Sequence, residues 1–486
     1  MILSSLVLLC FQSGGLDAAV AEASALASQN NFAGAVQCLK DAGVEDSSDV
    51  AAWTAYGQLT AKWTEGEITA GRIAGLDAYD AWNDVAWIYK KAAGFEGAED
   101  IVWVNWSEAL LNANDIGNSE RAVADGMSVH PDSAALLLQQ GRLQMSVARN
   151  KEELGDKEEA AVQYAAAESS FRAAMEKAPE TAAPCLRLGE LLWTLYYASE
   201  GKDKAMHDAA IEAFQMAAER EPAGVDGGVI SQWLGAECIS VLDILVEGDP
   251  DNVLHYWYRG SAHYASGPSA WDKTHKDFKK VLALNPQFTN AYYFLADGAM
   301  QRGAQLDGQG EDSRRDKAYA AAAKYWSIYL KDFGANHRAT FQTAEAKQGA
   351  AELFNWLAGH GTFEEGVILL EWAVETQPDH AQAWANLAFF YRDTRQPEKS
   401  VAAYKRAHEM NPTDPQIMND YAVLYHYYLK TEDDLARDLY TRAAARAQEM
   451  IDNGEVQAGD EERIGTALRD ATRNLDKLNK GNRVNG

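Results

Sequence analysis

The stretch AWANLAFFYRDTRQPEKSVAAYKRAHEMNP, residues 383–412, decides how this chain folds. Trp384, Leu387, Ala388 and Tyr391 stand at steps of three, four and seven, which puts them on one face of a helix. Gln396-Pro397 interrupts the pattern, and Ser400, Tyr404 and Ala407 then repeat it on a second helix. Pro412 cannot continue that helix and turns the chain into the next unit. Ala388 and Ala407 let the two backbones approach closely, so large residues on one helix meet small ones on the other. The aromatic stripe reads as the inside of a helix pair.

Composition agrees with an all-α chain. Apolar residues make up 47% and charged residues 24% of 486 residues, a folding composition, while prolines number only 11. That length favours several domains or a repeat array over one globular core. The charge is −28, from 44 basic and 72 acidic residues, which repels phosphate backbones and anionic lipid and argues against a nucleic-acid partner. The cysteines, Cys10, Cys38, Cys185 and Cys238, lie far apart with no CxxC spacing, so neither a zinc site nor a disulfide framework is expected.

The frame recurs along the chain. Pro378 lies 412 − 378 = 34 residues upstream of Pro412, and its unit carries Leu353, Leu357, Gly366, Leu370 and Ala373 in matching slots. Asp100–Pro131 is an uninterrupted unit with Trp103, Trp106, Ser107, Leu110, Val123 and Gly126 in register. Gln140-Gly141, Leu188-Gly189 and Arg259-Gly260 occupy one slot, and Phe171, Phe214 and Phe278 another. This pattern resembles the tetratricopeptide repeat family, whose signature is W-x2-L-G-x2-Y, A-x3-F and P. Ala388 stands for its Gly and Ser400 for its Ala, both small. The resemblance implies a right-handed superhelical solenoid of helix–turn–helix repeats.

The departures are informative. Tyr56 to Val85 spans 85 − 56 = 29 residues, against 13 in the family frame, so that unit is stretched between its helices. Residues 304–318, AQLDGQGEDSRRDKA, read as the most loop-like extension, whereas SVARNKEELGDKEEAAVQY reads as lengthened helices. Such extensions are either tolerated insertions or an extra docking ridge at one edge. Residues 225–252 supply one clear helix where a repeat needs two, so they read either as a degenerate repeat that lost its first helix at Gly227-Gly228 or as a break, between arrays at 16–224 and 253–450. Residues 451–486 follow, with Ile464, Leu468, Ala471, Leu475 and Leu478 on one stripe, as a capping helix and tail.

At the N-terminus, Ile2 to Phe11 is an apolar run of signal-peptide length followed by Ser13-Gly14-Gly15, although no Lys or Arg precedes it. Because the repeat frame begins at Leu16, residues 1–15 are expected to be a cleaved leader, giving a periplasmic or extracytoplasmic protein. The alternative is an apolar first helix packed on the array of a cytoplasmic protein. No other apolar run of about 18 residues is evident, so no integral membrane segment is expected.

Nothing in the chain suggests catalysis or a cofactor. G-x-S-x-G, G-x-x-x-x-G-K-[ST] and G-x-G-x-x-G are all missing. His255, His263 and His275 have no recognisable metal spacing, and DGQGED at 307–312 lacks the glycine and glutamate of a calcium loop. Function is therefore expected on the solenoid surface. The resemblance implies a concave groove lined by the first helices of successive repeats. Its slots carry over to Trp193, Trp257, Tyr264, Tyr293, Asp297, Phe389, Arg392, Asn419 and His426. They also give Glu190, Gln301, Gln382, Asp393 and Tyr427. The family's carboxylate clamp of Lys and Asn is not evident. The expected function is a non-catalytic scaffold or adaptor holding a protein or peptide segment. The alternatives are an assembly component that self-associates through its caps or edges, and a non-catalytic subunit of an enzyme complex.

Overall fold

The computed structural model describes residues 15–483, so the apolar leader and Cys10 lie outside the described residues. Among the described residues there is no β-strand. The chain divides into two compact units, Met1–Pro250 and Asp251–Gly486. Both are built of antiparallel helix hairpins that follow one another along the chain.

The first unit pairs α1 (Gly15–Ser28) with α2 (Phe32–Asp41), α3 (Val50–Thr69) with α4 (Leu76–Ala93), and α5 (Asp100–Asn112) with α6 (Ile116–Val129). It continues with α7 (Ala134–Glu153) and α8 (Lys157–Lys177), then α9 (Ala183–Ala198) and α10 (Lys204–Arg220). The hairpin turns are written locally. Asn30, Asn114 and Gly155 take left-handed φ of 60°, 59° and 82°, ending one helix. The residue after each, Asn31, Asp115 or Asp156, then caps the next helix by accepting the N–H of Gly34, Asn118 or Glu159.

Residues 225–252 are not one helix. A short α11 (Gly227–Leu234), a 3-10 turn (Gly235–Cys238) and α12 (Ile239–Gly248) follow one another, with Gly235 at φ 55° marking the break. Contrary to the expectation of no such run, Gly227–Gly248 is long and apolar enough to cross a membrane by length and composition. It does not form a straight span, and Ile230, Leu234, Val241, Leu242 and Leu245 are buried within the chain.

The second unit pairs α13 (Val253–Ala265) with α14 (Trp271–Leu284), α15 (Thr289–Gly308) with α16 (Asp312–Arg338), and α17 (Ala344–Leu357) with α18 (Phe363–Thr376). Then come α19 (Ala381–Asp393) with α20 (Pro397–Met410), α21 (Pro415–Val423) with α22 (Asp433–Asp452), and a final α23 (Glu461–Asn479). Residues 304–318 are mostly helical, contrary to the loop-like reading. Arg315 holds the turn by pairing with Asp307 and Asp312 at 2.8 Å and Asp316 at 2.9 Å, leaving only residues 309–311 between helices.

Small-against-large packing holds the hairpins together. Leu387, Ala388, Tyr391, Tyr404 and Ala407 are buried, whereas Trp384 is only half-buried and donates its indole N–H to the Pro378 carbonyl at 2.9 Å. Ser400 does more than spare space, because its hydroxyl donates to the Ala388 carbonyl of the partner helix at 2.7 Å. Ser119 repeats the contact with the Ser107 carbonyl at 2.8 Å. Where the slot is glycine, the ring of the facing helix lies against the backbone. A Cβ on Gly57 would meet Tyr89 at 2.7 Å, and one on Gly189 would meet Phe214 at 2.9 Å.

Candidate functional site

Several residues assigned to a groove turn inward instead. Trp193 is 3% exposed and packs on Tyr196, Tyr197 and His207, with ring centroids 5.4–5.6 Å away. Trp257 is half-buried among Phe278, Phe288 and Phe294, 4.8–5.4 Å away. Tyr293 packs against Trp326, Tyr329 and His337, closing its own hairpin. In each case a large ring fills the seam between helices, because burying it there removes the most apolar surface from water.

Asn419 and His426 are buried for a different reason. A π-helical turn at Leu424–Leu429 rotates the end of the last first-helix out of the family register. The terminal α23 and the residues after it then cover that surface. Asn474 donates to Asn419 at 3.5 Å and accepts from the Tyr427 hydroxyl at 3.0 Å. The His426 ring is fully buried, stacks on Tyr427 at 3.9 Å and reaches the Asn482 carbonyl at 2.8 Å. Burial lowers its pKa, so it sits there as the neutral ring donating that N–H.

Of the other expected residues, Glu190 pairs with Arg187 at 2.6 Å and Gln382 bonds Asn386 at 3.0 Å, each on its own helix, and the rest form two polar groups in the second unit. Asp297 accepts hydrogen bonds from the Tyr264 hydroxyl and from Gln301, the latter at 2.7 Å. Burial and the Asp297 carboxylate together push the Tyr264 hydroxyl well above its ordinary pKa. Further along, the Arg392 guanidinium lies over the Phe389 ring at 4.4 Å and over Tyr428 at 5.0 Å, and bonds Asp393 at 2.8 Å.

A groove lies in the first unit on residues other than those expected in the groove slots. It has a volume of about 720 Å³. The first-helices α3 and α5 form its floor through Gln58, Leu59, Lys62 and Glu65 and through Asn105, Glu108, Ala109 and Asn112. Trp82, Val85 and Tyr89 of the lengthened α4 form a wall, with Ser24 of α1 beside them. Its charges are mutually compensated, since Lys62 pairs with Glu65 at 2.8 Å and Glu108 with Arg142 at 2.9 Å. The exposed Gln58 and Asn112 amides make no hydrogen bond to the described residues. Tyr89 is buried, which, with Glu108 nearby, raises its pKa and keeps it a hydroxyl.

The signal for this groove was present. Counting the family slots from Trp53 gives Gln58, Ala61 and Lys62, and counting from Trp103 gives Glu108 and Asn112. Among the described residues no three His, Cys, Asp or Glu side chains converge to hold a metal ion. Cys38, Cys185 and Cys238 are buried thiols, and burial raises the pKa of the latter two.

No protein-family model matches the chain, and no curated protein does. Among solved structures, it is similar to yeast Tom70 at 13% identity over 96% of each chain, with a TM-score of 0.24. It is also similar to the C-terminal part of a TPR repeat-containing protein from Cytophaga hutchinsonii, at 16% identity over 65% of this chain and 98% of that one, TM-score 0.29. A third is YrrB, described as a TPR protein with an unusual peptide-binding site, at 16% identity over 50% of this chain and 92% of that one, TM-score 0.22. The repeat assignment for this chain rests on its recurring frame and hairpin packing.

Proposed function

We propose that this tetratricopeptide-repeat chain is a non-catalytic interaction scaffold that holds an extended polypeptide segment in the groove of its first unit. The observation that carries this reading is the pair of exposed amides, Gln58 and Asn112, that line the groove with no partner among the described residues, beside the Trp82 wall. A carboxamide offers a donor and an acceptor together, which matches a peptide backbone and not an ion. Compensated charges leave little net field to repel a neutral segment, and the half-buried Trp82 and Leu59 supply apolar contact.

A second reading, assembly through the hairpin ends, is favoured by apolar side chains standing in solvent there. Leu76 is 78% exposed and Leu154 76%. Photo-crosslinking separates the two. A crosslinking residue at Asn112 of the full chain should trap a discrete partner from native extract, while one at Leu154 should not. Adducts only at Leu154, with the mass of two copies, would favour assembly and defeat the groove.

A further inference from the structure

The lengthened α4 carries two opposite faces. Trp82, Val85 and Tyr89 line the groove, with Val85 and Tyr89 buried. On the other side Leu76, Tyr79, Asn83 and Trp87 follow at steps of three, four and four, which makes one helical stripe. All four stand in solvent, Leu76 at 78%, Tyr79 at 42% and Trp87 at 47% exposure. Large apolar side chains aligned in water along one helix mark an interaction surface. Trp87 is held in place from beneath, its ring 5.8 Å from Trp53, with the Lys91 ammonium 5.5 Å from its centre. Charge is sorted along the same helix. Asp77, Asp80 and Asp84 occupy its first half, and Lys90 and Lys91 its end. Among the described residues none of these five makes an ion pair.

We infer that α4 docks antiparallel against α4 of a second copy of this chain, about a two-fold axis at Asn83. A matching partner helix must be basic where α4 is acidic and acidic where it is basic, and α4 turned end to end has that order. Asp77 and Lys91 are 91 − 77 = 14 residues apart, about 21 Å along the helix, so only the antiparallel arrangement brings each opposite the other. Fourteen residues are also close to four full turns, which sets both on one flank of the stripe, and a two-fold axis keeps like flanks together. Tyr79 and Trp87 each lie four residues from Asn83, so Tyr79 of one copy meets Trp87 of the other as an aromatic pair. Asn83 meets itself at the axis, and a carboxamide, both donor and acceptor, is satisfied by its own copy. Asp84 stands about a quarter turn aside, at the rim, where it keeps its water. One helix pair is a small interface, so the dimer is weak, in the micromolar range. It leaves the groove open, because Trp82 faces away from the stripe, and it does not rest on the groove reading. It also differs from assembly through Leu154, which lies on another hairpin.

The test is sedimentation equilibrium of the full chain from about 1 to 200 µM, which spans a weak interface. At about 0.15 M salt, charges more than about 8 Å apart are screened, so the net charge of −28 does not mask association. The wild type should pass from monomer to dimer across that range. Asp77→Lys and Lys91→Asp, both at exposed positions, should keep the melting midpoint. Each alone sets like charges at both ends of the seam and should weaken the dimer about tenfold. Mixed in equal amounts, the two variants carry opposite charges at both ends and should form a heterodimer as tight as the wild-type dimer. A Gln58→Ala/Asn112→Ala variant should dimerise like the wild type, so failure here is distinct from failure of the groove. A monomer at every concentration would overturn the proposal. So would a dimer that both single variants retain, which would assign association to another surface such as Leu154, or single variants that stay monomeric when mixed.

Discussion

Gly57 and Gly66 lie on the same helix, α3, and predict opposite outcomes for one substitution. A Cβ at Gly57 would sit 2.7 Å from the Tyr89 ring, so Gly57→Ala forces α3 and α4 apart and should cost about 1–3 kcal/mol. At Gly66 nothing lies within 4 Å, and Gly66→Ala should stabilise by about 0.5–1 kcal/mol through the lower entropy of the unfolded chain. Denaturant melts of both variants check this, and equal signs would refute the packing assignment. The slot at Gly57 was legible in the sequence because steric demand there is local: one helix face, one ring, one missing side chain. The facing of Trp193, Trp257 and Tyr293 was not legible. Whether a ring enters the seam between helices or stands in the groove depends on what the neighbouring hairpin offers it, and that neighbour is stretched or irregular in this chain.

Among the elements, the ends of the helices decide what pH does. His207 on α10 bonds Asp208 at 2.9 Å and reaches Glu237, in the 3-10 turn before α12, at 2.8 Å. These carboxylates, Asp208 first, raise its pKa above the ordinary 6.5. Its contribution is therefore fully present below about pH 6.5 and is lost as pH rises through the raised value. His426 runs the other way. Its pKa is lowered, so its contribution is present above about pH 6.5 and is lost as pH falls toward the lowered value. Hydrogen exchange, normalised to intrinsic rates, should rise at residues 474–483 on acidification and at residues 235–238 on alkalinisation. A uniform change at both segments would contradict the assignment. The helix α23 was legible as an amphipathic stripe, but its consequence was not. Carrying groove slots to the last repeat assumes an open surface, and the π-turn and α23 together close it.

At the scale of the whole chain, the two units make different offers. The first presents neutral amides and rings over a groove of about 720 Å³, and the second packs its rings into the seams between helices. The repeat architecture was readable on both sides of residues 225–252 because the frame recurs and each repeat is a local packing problem. The division at Pro250 reflects a chain that breaks its helix at Gly235 and restarts its frame at Val253. The floor of the groove could be counted from Trp53 and Trp103, but its Trp82 wall was hidden in the length of α4, since a stretched second helix gives no slot to count. The most direct measurement is selection of a random peptide display library on the full chain, with Gln58→Ala/Asn112→Ala as the paired bait. Both positions are exposed, so the substitutions should leave stability within about 0.5 kcal/mol. The scaffold reading predicts peptides enriched on the wild type and lost on the variant. Peptides enriched equally on both baits, or none on either, would contradict it.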